Sequence, residues 1–186
     1  IDTDYITIIG KDSVSTIIDP QGANSITTMY GIYADTQKGI TIKNVGVTGA
    51  YDGIHLYNVD QSTISGDSVS SSGNYGIYIR VGSDTNKIIG NTANSNTAYC
   101  IVLSASSNNT VDSNTANSNT TSYGIALTAS SNNNMVSRNT ANSNSYGVVL
   151  NASSSNTVNN NTARSNTTGG VLLENRKITR QARVAH

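Results

Sequence analysis

The chain has 186 residues, which is enough for one domain with a single core. Asn, Ser and Thr supply 75 of these residues, apolar residues make up 35%, and charged residues only 12%. Because eleven Lys and Arg balance eleven Asp and Glu, the basic surface that nucleic-acid binding requires is absent. No apolar run approaches the roughly 20 residues of a membrane-spanning helix. Composition therefore predicts no nucleic-acid partner and no membrane span.

The chain opens with two short apolar runs, YITIIG and STIIDPQG, within residues 2–22. Neither run carries the full pattern of the later chain, so we interpret this segment as an incomplete first coil. The chain starts at Ile1 without a methionine and has no signal peptide, and we therefore expect it to be part of a longer protein.

A tetrapeptide of the form Gly-Ile-x-Leu then recurs seven times at intervals of 22–24 residues. Its copies begin at Gly31, Gly53, Gly76, Cys100, Gly124, Gly147 and Gly170. Two further apolar columns follow it, namely Ile42, Ile64, Ile88, Val111, Val136 and Val158, and then Val47, Val69, Ala93, Ala116, Ala141 and Ala163. Three short apolar segments per repeat, without helical periodicity, predict three strands. A repeat of this length with three strands is typical of one coil of a parallel β-helix, and about seven such coils are predicted.

Asparagine recurs in two polar columns within the segment NTANSN. The columns are Asn91, Asn114, Asn139 and Asn161, and then Asn96, Asn119, Asn144 and Asn166. Asparagine tolerates the left-handed conformation of sharp corners, and stacked side-chain amides can form hydrogen-bonded ladders. We favour this structural role over a binding face.

Tyrosine recurs immediately before the glycine of the tetrapeptide. The members of this column are Tyr30, Tyr75, Tyr99, Tyr123 and Tyr146, with Asp52 and Gly169 as exceptions. Neighbouring coils lie roughly 4.8 Å apart, so these rings can stack on one another. We favour stacking over a sugar-binding platform for this column.

The C-terminal residues 174–186 abandon the repeat and hold four of the eleven basic residues. We therefore divide the chain into a β-helix domain, residues 1–173, and a basic tail or cap, residues 174–186. The exposed strand edges of an uncapped solenoid also predict end-to-end self-association.

The GI-x-L, SSNNT and NTANSN segments resemble those of right-handed parallel β-helix repeat proteins. The resemblance covers residues 6–173 and is to the group that contains NosD and the carbohydrate-binding and sugar-hydrolysis (CASH) domains. The sequences of the repeats are most similar to those of cell-surface proteins of methanogenic archaea. This resemblance implies an all-β, right-handed, single-stranded, pectate-lyase-like solenoid. It further implies an extracellular or cell-surface location and a glycan partner, but it transfers no catalytic residue.

Titratable and aromatic residues concentrate at outward positions of the first three tetrapeptide strands. In alternating strands the residue between Ile and Leu points outward, as does the residue two positions later. We call the six residues at these positions the early-coil patch: Tyr33, Asp35, His55, Tyr57, Tyr78 and Arg80. Tyrosine rings stack on sugars, and Arg80 can pair with a uronate carboxylate. His55 or Asp35 can move a proton, so His55, Arg80 and Asp35 are the catalytic candidates.

Other chemical sites are not predicted. The candidate metal ligands His55, His186, Cys100, Met29 and Met135 are scattered, so we predict no metal site, and without a phosphate-binding glycine loop we predict no cofactor. Cys100 occupies a glycine position and is interpreted as a small buried residue. Sequons occur at Asn108, Asn119, Asn151, Asn160 and Asn166.

Three functions remain open from the sequence. The leading one is a non-catalytic, extracytoplasmic structural or carbohydrate-binding module of a larger surface protein. The alternative is a polysaccharide lyase, hydrolase or epimerase acting on a uronic-acid glycan. The second alternative is ice binding through the column Thr92, Thr115, Thr140 and Thr162.

Overall fold

The computed structural model describes residues 1–20, 29–119, 121–174 and the backbone of 183–185. Its regular elements are all short parallel strands, which confirms the predicted all-β class. The strands are β1 (Thr7–Ile9), β2 (Ile17–Ile18), β3 (Ile32–Asp35), β4 (Thr41–Lys43), β5 (Gly46–Thr48), β6 (Ile54–Tyr57), β7 (Thr63–Ser65), β8 (Ser68–Ser70), β9 (Ile77–Arg80), β10 (Lys87–Ile89), β11 (Thr92–Asn94), β12 (Ile101–Ser104), β13 (Thr110–Asp112), β14 (Tyr123–Thr128), β15 (Met135–Ser137), β16 (Tyr146–Asn151), β17 (Thr157–Thr162), β18 (Gly169–Glu174) and β19 (Arg183–Ala185).

Three parallel sheets run along the solenoid, and the chain visits them in turn. The eight-stranded sheet has the order β1-β4-β7-β10-β13-β15-β17-β19, the four-stranded sheet β11-β8-β5-β2, and the seven-stranded sheet β18-β16-β14-β12-β9-β6-β3. The seven tetrapeptides are the seven-stranded sheet, with Ile32 opposite Ile54 and Ile54 opposite Ile77. Seven stacked strands enclose about six complete turns, so the predicted solenoid and its repeat are confirmed.

The core is a narrow apolar column inside the coils. In β4, β7 and β10 of the eight-stranded sheet the middle residue points inward, and Ile42, Ile64 and Ile88 are fully buried in register. This follows from the period-two alternation of a strand. The small column from Val47 to Ala141 is buried as well, so both predicted apolar columns line the interior.

Asparagine ladders form the corners of the coils, as predicted, but the ladder asparagines do not themselves adopt the left-handed conformation. In one ladder the backbone N–H of Asn91 donates to Asn114 Oδ1 at 2.9 Å, and the Asn91 amide donates to the carbonyl oxygen of Ile64 at 3.0 Å. The left-handed φ values fall on the residue before each ladder asparagine, for example +65° at Gly90 and +56° at Ser113. Except for the partly exposed Asn166, the asparagines of the two columns are buried, because their side chains satisfy backbone groups inside the solenoid, which rules out the binding-face alternative.

Sequence analysis missed a third ladder of the same kind. It is formed by Asn86, Asn109, Asn134 and Asn156. Two of the sequons lie in ladders, because the amides of Asn119 and Asn166 donate inward to the carbonyl oxygens of Ala98 and Ala141.

A second apolar cluster lies outside the solenoid, on the seven-stranded sheet. The outward residues Val102, Ala126 and Val149 are buried beneath the tyrosine column. The rings of Tyr99 and Tyr123 stack with centroids 4.9 Å apart and an interplanar angle of 4°. Stacking of this column is therefore confirmed. Its rings cover the outer apolar residues of the later coils, and we call this cover the tyrosine roof.

The N-terminal end presents open strand edges and exposed apolar side chains. Strands β1 and β2 precede β3, so the first coil has strands in two of the three sheets. Exposed large apolar side chains concentrate there: Tyr5, Ile6, Ile9, Val14, Ile17, Met29 and Tyr30. End-to-end self-association stays a prediction. At the other end β19 pairs with β17, whereas the remaining tail residues 175–182 and 186 lie outside the described residues.

Candidate functional site

The register of three neighbouring strands brings the early-coil patch together. Tyr33, His55 and Tyr78 lie directly opposite one another on β3, β6 and β9. The second row, Asp35, Tyr57 and Arg80, is aligned in the same way. All six side chains project from the outer face of the seven-stranded sheet.

His55 differs from the expectation of an exposed residue, because only 3% of its surface is accessible. Its Nδ1 lies 2.8 Å from Asp52 Oδ2. The other carboxylate oxygen of Asp52 accepts hydrogen bonds from the Asn74 side chain at 2.9 Å and the Tyr75 backbone N–H at 3.1 Å. Because a carboxylate only accepts hydrogen bonds, Nδ1 carries the hydrogen, and the basic atom of the neutral ring is Nε2.

Three tyrosine rings cover the imidazole of His55 and explain its burial. Tyr30 and Tyr78 each have a ring centroid 4.8 Å from that of His55, and Tyr33 lies at 5.4 Å. Tyr30 also stacks on Tyr33 at 4.8 Å. Under this cover Nε2 is buried and has no hydrogen-bond partner.

Arg80 lies over two tyrosine rings in the second row of the patch. Its guanidinium carbon is 5.3 Å from the ring centroids of both Tyr57 and Tyr78, within the range of cation–π attraction. Its Nε is a second buried polar atom without a hydrogen-bond partner. The Arg80 side chain as a whole is partly exposed, so its charge is open to an anion from solvent.

Asp35 closes the N-terminal side of the patch as an exposed carboxylate. The Tyr33 hydroxyl donates to Asp35 Oδ2 at 3.1 Å. Burial and this hydrogen bond raise the pKa of Tyr33, so the phenol stays protonated at neutral pH. The site thus combines a carboxylate, a buried imidazole, a guanidinium and aromatic rings.

Sequence analysis did not identify Asp52, Asn74 and Tyr30 as parts of this site. Asp52 was noted as an interruption of the tyrosine column and as an acid in a turn that flanks the patch. That interruption carried the signal, because the missing tyrosine occurs three residues before the only histidine in the repeats. At this position Asp52 replaces a tyrosine of the column, and its carboxylate orients the imidazole of His55 through the hydrogen bond to Nδ1.

Metal and thiol chemistry find no support within the described residues. In the described ranges no three His, Cys, Asp or Glu side chains are grouped closely enough to hold a metal ion. Cys100 is fully buried, as predicted, and burial raises the pKa of its thiol to about 12. The part of the chain that the structure describes also has no helix long and apolar enough to cross a membrane.

The coil geometry places the chain among the parallel β-helix proteins. Residues 30–182 match the family described as the right handed beta helix region, and the chain belongs to that family. This confirms the predicted architecture and its handedness. No curated protein sequence matches the chain.

Among solved structures, the chain is similar to a variant of the periplasmic alginate epimerase AlgG, at 26% identity and a TM-score of 0.71 over 81% of this chain and 36% of that one. It is also similar to the Dettilon tailspike protein, at 18% identity and a TM-score of 0.56 over 91% and 47% of the two chains. An alginate lyase from Paenibacillus is 13% identical, with a TM-score of 0.51 over 94% and 82%. The last two likenesses concern the fold alone. The chain spans about half of the epimerase AlgG at most.

Proposed function

We propose that the protein is a non-catalytic, extracytoplasmic carbohydrate-binding module, with the early-coil patch as its binding surface. The observation that carries this proposal is the partly exposed guanidinium of Arg80, which lies 5.3 Å from the ring centroids of Tyr57 and Tyr78 and has no ion-pair partner among the described residues. A cation beside aromatic rings favours a ligand with polar groups and a flat apolar face. Sugars have both.

The name of one similar structure supports the same class of ligand. AlgG acts, by its name, on alginate, an acidic polysaccharide. Arg80 supplies the one cation of the early-coil patch and would pair with a sugar carboxylate. The periplasmic location of AlgG is consistent with an extracytoplasmic location for this chain. We further propose that the chain is a member of the NosD and CASH group and that it comes from an archaeal surface protein.

The second candidate is a polysaccharide lyase or epimerase, and the Asp52–His55 contact favours it. In that reaction His55 Nε2 removes the proton next to the sugar carboxylate while Arg80 neutralises the carboxylate. The 3% exposure of His55 argues against it, because a base must come within hydrogen-bond distance of the proton it removes. A hydrolase needs a second free carboxylate beside Asp35, but Asp52 already accepts three hydrogen bonds.

Ice binding is the third candidate. Isolated β-bridges align Thr92 with Thr115, Thr115 with Thr140, and Thr140 with Thr162, as the repeat predicted. The adjacent outward column is asparagine rather than a second column of threonine, which makes the array narrow. Normal ice growth in dilute protein would contradict this function.

The test measures retention on neutral and uronic-acid polysaccharides together with shortening of the polysaccharide chains. We expect retention on an acidic polysaccharide without shortening, and a loss of about tenfold in affinity for Arg80→Gln, since hydrogen bonds to a charged group are strong. Arg164→Gln is the matched control, because Arg164 is an exposed cation outside the seven-stranded sheet. Chain shortening that His55→Gln abolishes would replace the binding module by the lyase or epimerase. Absence of retention on every polysaccharide would overturn the proposal.

A further inference from the structure

The outer face of the seven-stranded sheet continues well beyond the early-coil patch. Arg80 is in register with Ser104, and Ser104 with Thr128. The row therefore extends over the later coils without a break. Adjacent strands are spaced by roughly 4.8 Å, which is similar to the length of one sugar ring within a chain. One sugar unit per coil is the natural fit for a glycan that lies along the solenoid axis.

Aromatic rings accompany this row into the later coils. The ring centroids of Tyr78 and Tyr75 are 4.5 Å apart, those of Tyr75 and Tyr99 5.4 Å, and those of Tyr99 and Tyr123 4.9 Å. These tyrosines are half-buried, so each keeps part of its ring accessible above the apolar cluster. Their column is a continuous apolar border for the row.

The later members of the row are neutral hydrogen-bonding groups. They are Ser104, Thr128 and Asn151, all partly exposed. Within the described residues the side chains of Ser104 and Asn151 make no hydrogen bond, and the Thr128 hydroxyl makes only a long one, 3.4 Å, to the carbonyl oxygen of Leu103. Their donors and acceptors are therefore available to sugar hydroxyls.

The charge along the row is uneven, and this decides the class of ligand. Asp35 and Glu174 are the acidic ends of the row, and Arg80 is its single cation. A homopolymer of uronic acid would bring carboxylates over the later coils, where this row offers no cation to pair with them. A neutral glycan would leave the partly exposed charge of Arg80 without a counter-charge.

We infer that this face binds a glycan along the solenoid axis, with one carboxylate at or near one end held by Arg80 and neutral sugar units over Ser104, Thr128 and Asn151. This inference rests on the proposed function and adds the charge pattern and direction of the ligand. It separates this chain from a binder of homopolymeric uronic acid.

The first test compares three oligosaccharides of equal length by isothermal titration calorimetry. They are cellopentaose, cellopentaonic acid, which is the same chain with one carboxylate made by oxidation of its reducing end, and pentagalacturonic acid. We expect cellopentaonic acid to bind about tenfold more tightly than cellopentaose, from one charge-assisted pairing. It should also bind more tightly than pentagalacturonic acid, because the further carboxylates of that chain find no cation over the later coils. Arg80→Gln should reduce its affinity to that of cellopentaose.

The second test adds a cation where the row has none. Thr128→Arg places a guanidinium two coils from Arg80 and should raise the affinity for pentagalacturonic acid about tenfold. Thr140→Arg is the matched control, because Thr140 is also partly exposed but lies outside the seven-stranded sheet. Circular dichroism of both variants verifies the fold.

The outcomes separate this inference from the proposed function. If pentagalacturonic acid binds the unmodified protein as tightly as cellopentaonic acid, and Arg80→Gln weakens both, the binding module stands and the charge pattern is wrong. If Thr128→Arg and Thr140→Arg act alike, the direction along the row is wrong. If none of the three oligosaccharides binds, both proposals are overturned.

Discussion

The early and later coils fill the same interior columns with different side chains. In the later coils all three ladders consist of asparagine, whereas the corresponding early residues are Ser62, Asp67 and Ser72. An asparagine accepts from the backbone N–H of the preceding coil and also donates to a carbonyl oxygen of that coil. Of the five buried polar atoms without a partner in the described residues, four belong to residues 55–80: His55 Nε2, Asp67 Oδ2, Ser72 Oγ and Arg80 Nε.

This difference shows that the side chains that stabilise the solenoid and those that could bind a ligand are concentrated in different coils. The later coils repeat almost unchanged because each ladder asparagine satisfies backbone groups of its neighbours. The early coils interrupt the ladders beside the one surface that carries a carboxylate, an imidazole and a guanidinium. Incomplete hydrogen bonding is therefore concentrated in the coils that hold the candidate site, both in the interior ladders and on the outer face.

The largest effect is expected from breaking a ladder in the later coils. Asn139→Ala removes an acceptor for the backbone N–H of Asn114 at 2.8 Å and a donor to the carbonyl oxygen of Val111 at 2.9 Å. Because two buried backbone groups lose their partners, we expect the free energy of unfolding to fall by about 2–6 kcal/mol. The measurement is urea denaturation followed by circular dichroism.

The control for this prediction is an asparagine on the outside of the same coil. The Asn142 side chain accepts one hydrogen bond, from the backbone N–H of Arg164 at 2.8 Å, and water can replace it. Asn142→Ala should cost about 1 kcal/mol. Equal losses for the two variants would refute the special role of the interior ladders.

The next effect comes from Asp67, which occupies a ladder position that the later coils give to asparagine. Its Oδ1 accepts from the backbone N–H of Val45 at 2.9 Å, but its buried Oδ2 has no partner. Burial raises the pKa of Asp67 to about 6. By the equivalence of the coils, the protonated acid would donate to the carbonyl oxygen of Ile42, as the Asn91 amide donates to that of Ile64.

The sign of the pH dependence follows from this raised pKa. The folded state holds the proton more tightly than the unfolded chain, so this stabilisation is complete below about pH 4 and is lost as the pH rises to about 6. Asp67→Asn supplies the missing donor at every pH. We expect it to stabilise the protein by about 2–3 kcal/mol at pH 7 and by little at pH 4.

Asn114→Asp is the reciprocal variant and should import the early-coil behaviour into the later coils. We expect it to destabilise the protein by several kcal/mol at pH 7, and by less at pH 4, because a buried unpaired carboxylate is costly. Urea midpoints between pH 4 and 7.5 measure both variants. Parallel pH profiles for Asp67→Asn and the unmodified protein would show that Asp67 is not the titrating group.

The architecture could be predicted from the sequence because every coil repeats the same constraints. The spacing of Gly31, Gly53 and their successors sets the strand register, and it was correct throughout the seven-stranded sheet. The site was only partly predictable. Alternation correctly directed His55 outward, but its burial depends on how Tyr30 and Tyr78 fold over it, and that is decided by side-chain packing rather than by period.

A smaller effect concerns the size of the side chains in the interior column that runs from Val47 to Ala163. This column holds valine in the early coils and alanine in the later coils. At Gly53 an added Cβ would lie 2.2 Å from Val69 Cγ1, so glycine and valine are matched in that coil. Cys100 holds a glycine position sixteen residues before Ala116, in the equivalent relation. We therefore expect the larger side chain at position 100 to be matched by the smaller residue at position 116.

A double-mutant cycle tests this pairing of sizes. Ala116→Val alone should cost about 1–3 kcal/mol through overpacking against Cys100. Cys100→Gly in the same protein recreates the early-coil pair and should recover most of the loss, which chemical denaturation of the single and double variants measures. Strictly additive losses would contradict the proposed contact between the two columns.

The smallest effect is expected in the tyrosine roof of the later coils. Tyr99 stacks between Tyr75 at 5.4 Å and Tyr123 at 4.9 Å, and burial raises its pKa. Tyr99→Phe keeps both ring contacts and should change the free energy of unfolding by less than about 0.5 kcal/mol. Tyr99→Leu keeps apolar cover over Val102 but loses the stacking, and should cost about 1–2 kcal/mol. Thermal and urea unfolding compare the two variants. Equal stabilities would mean that the roof stabilises the later coils by covering apolar surface alone, without any contribution from the order of its rings.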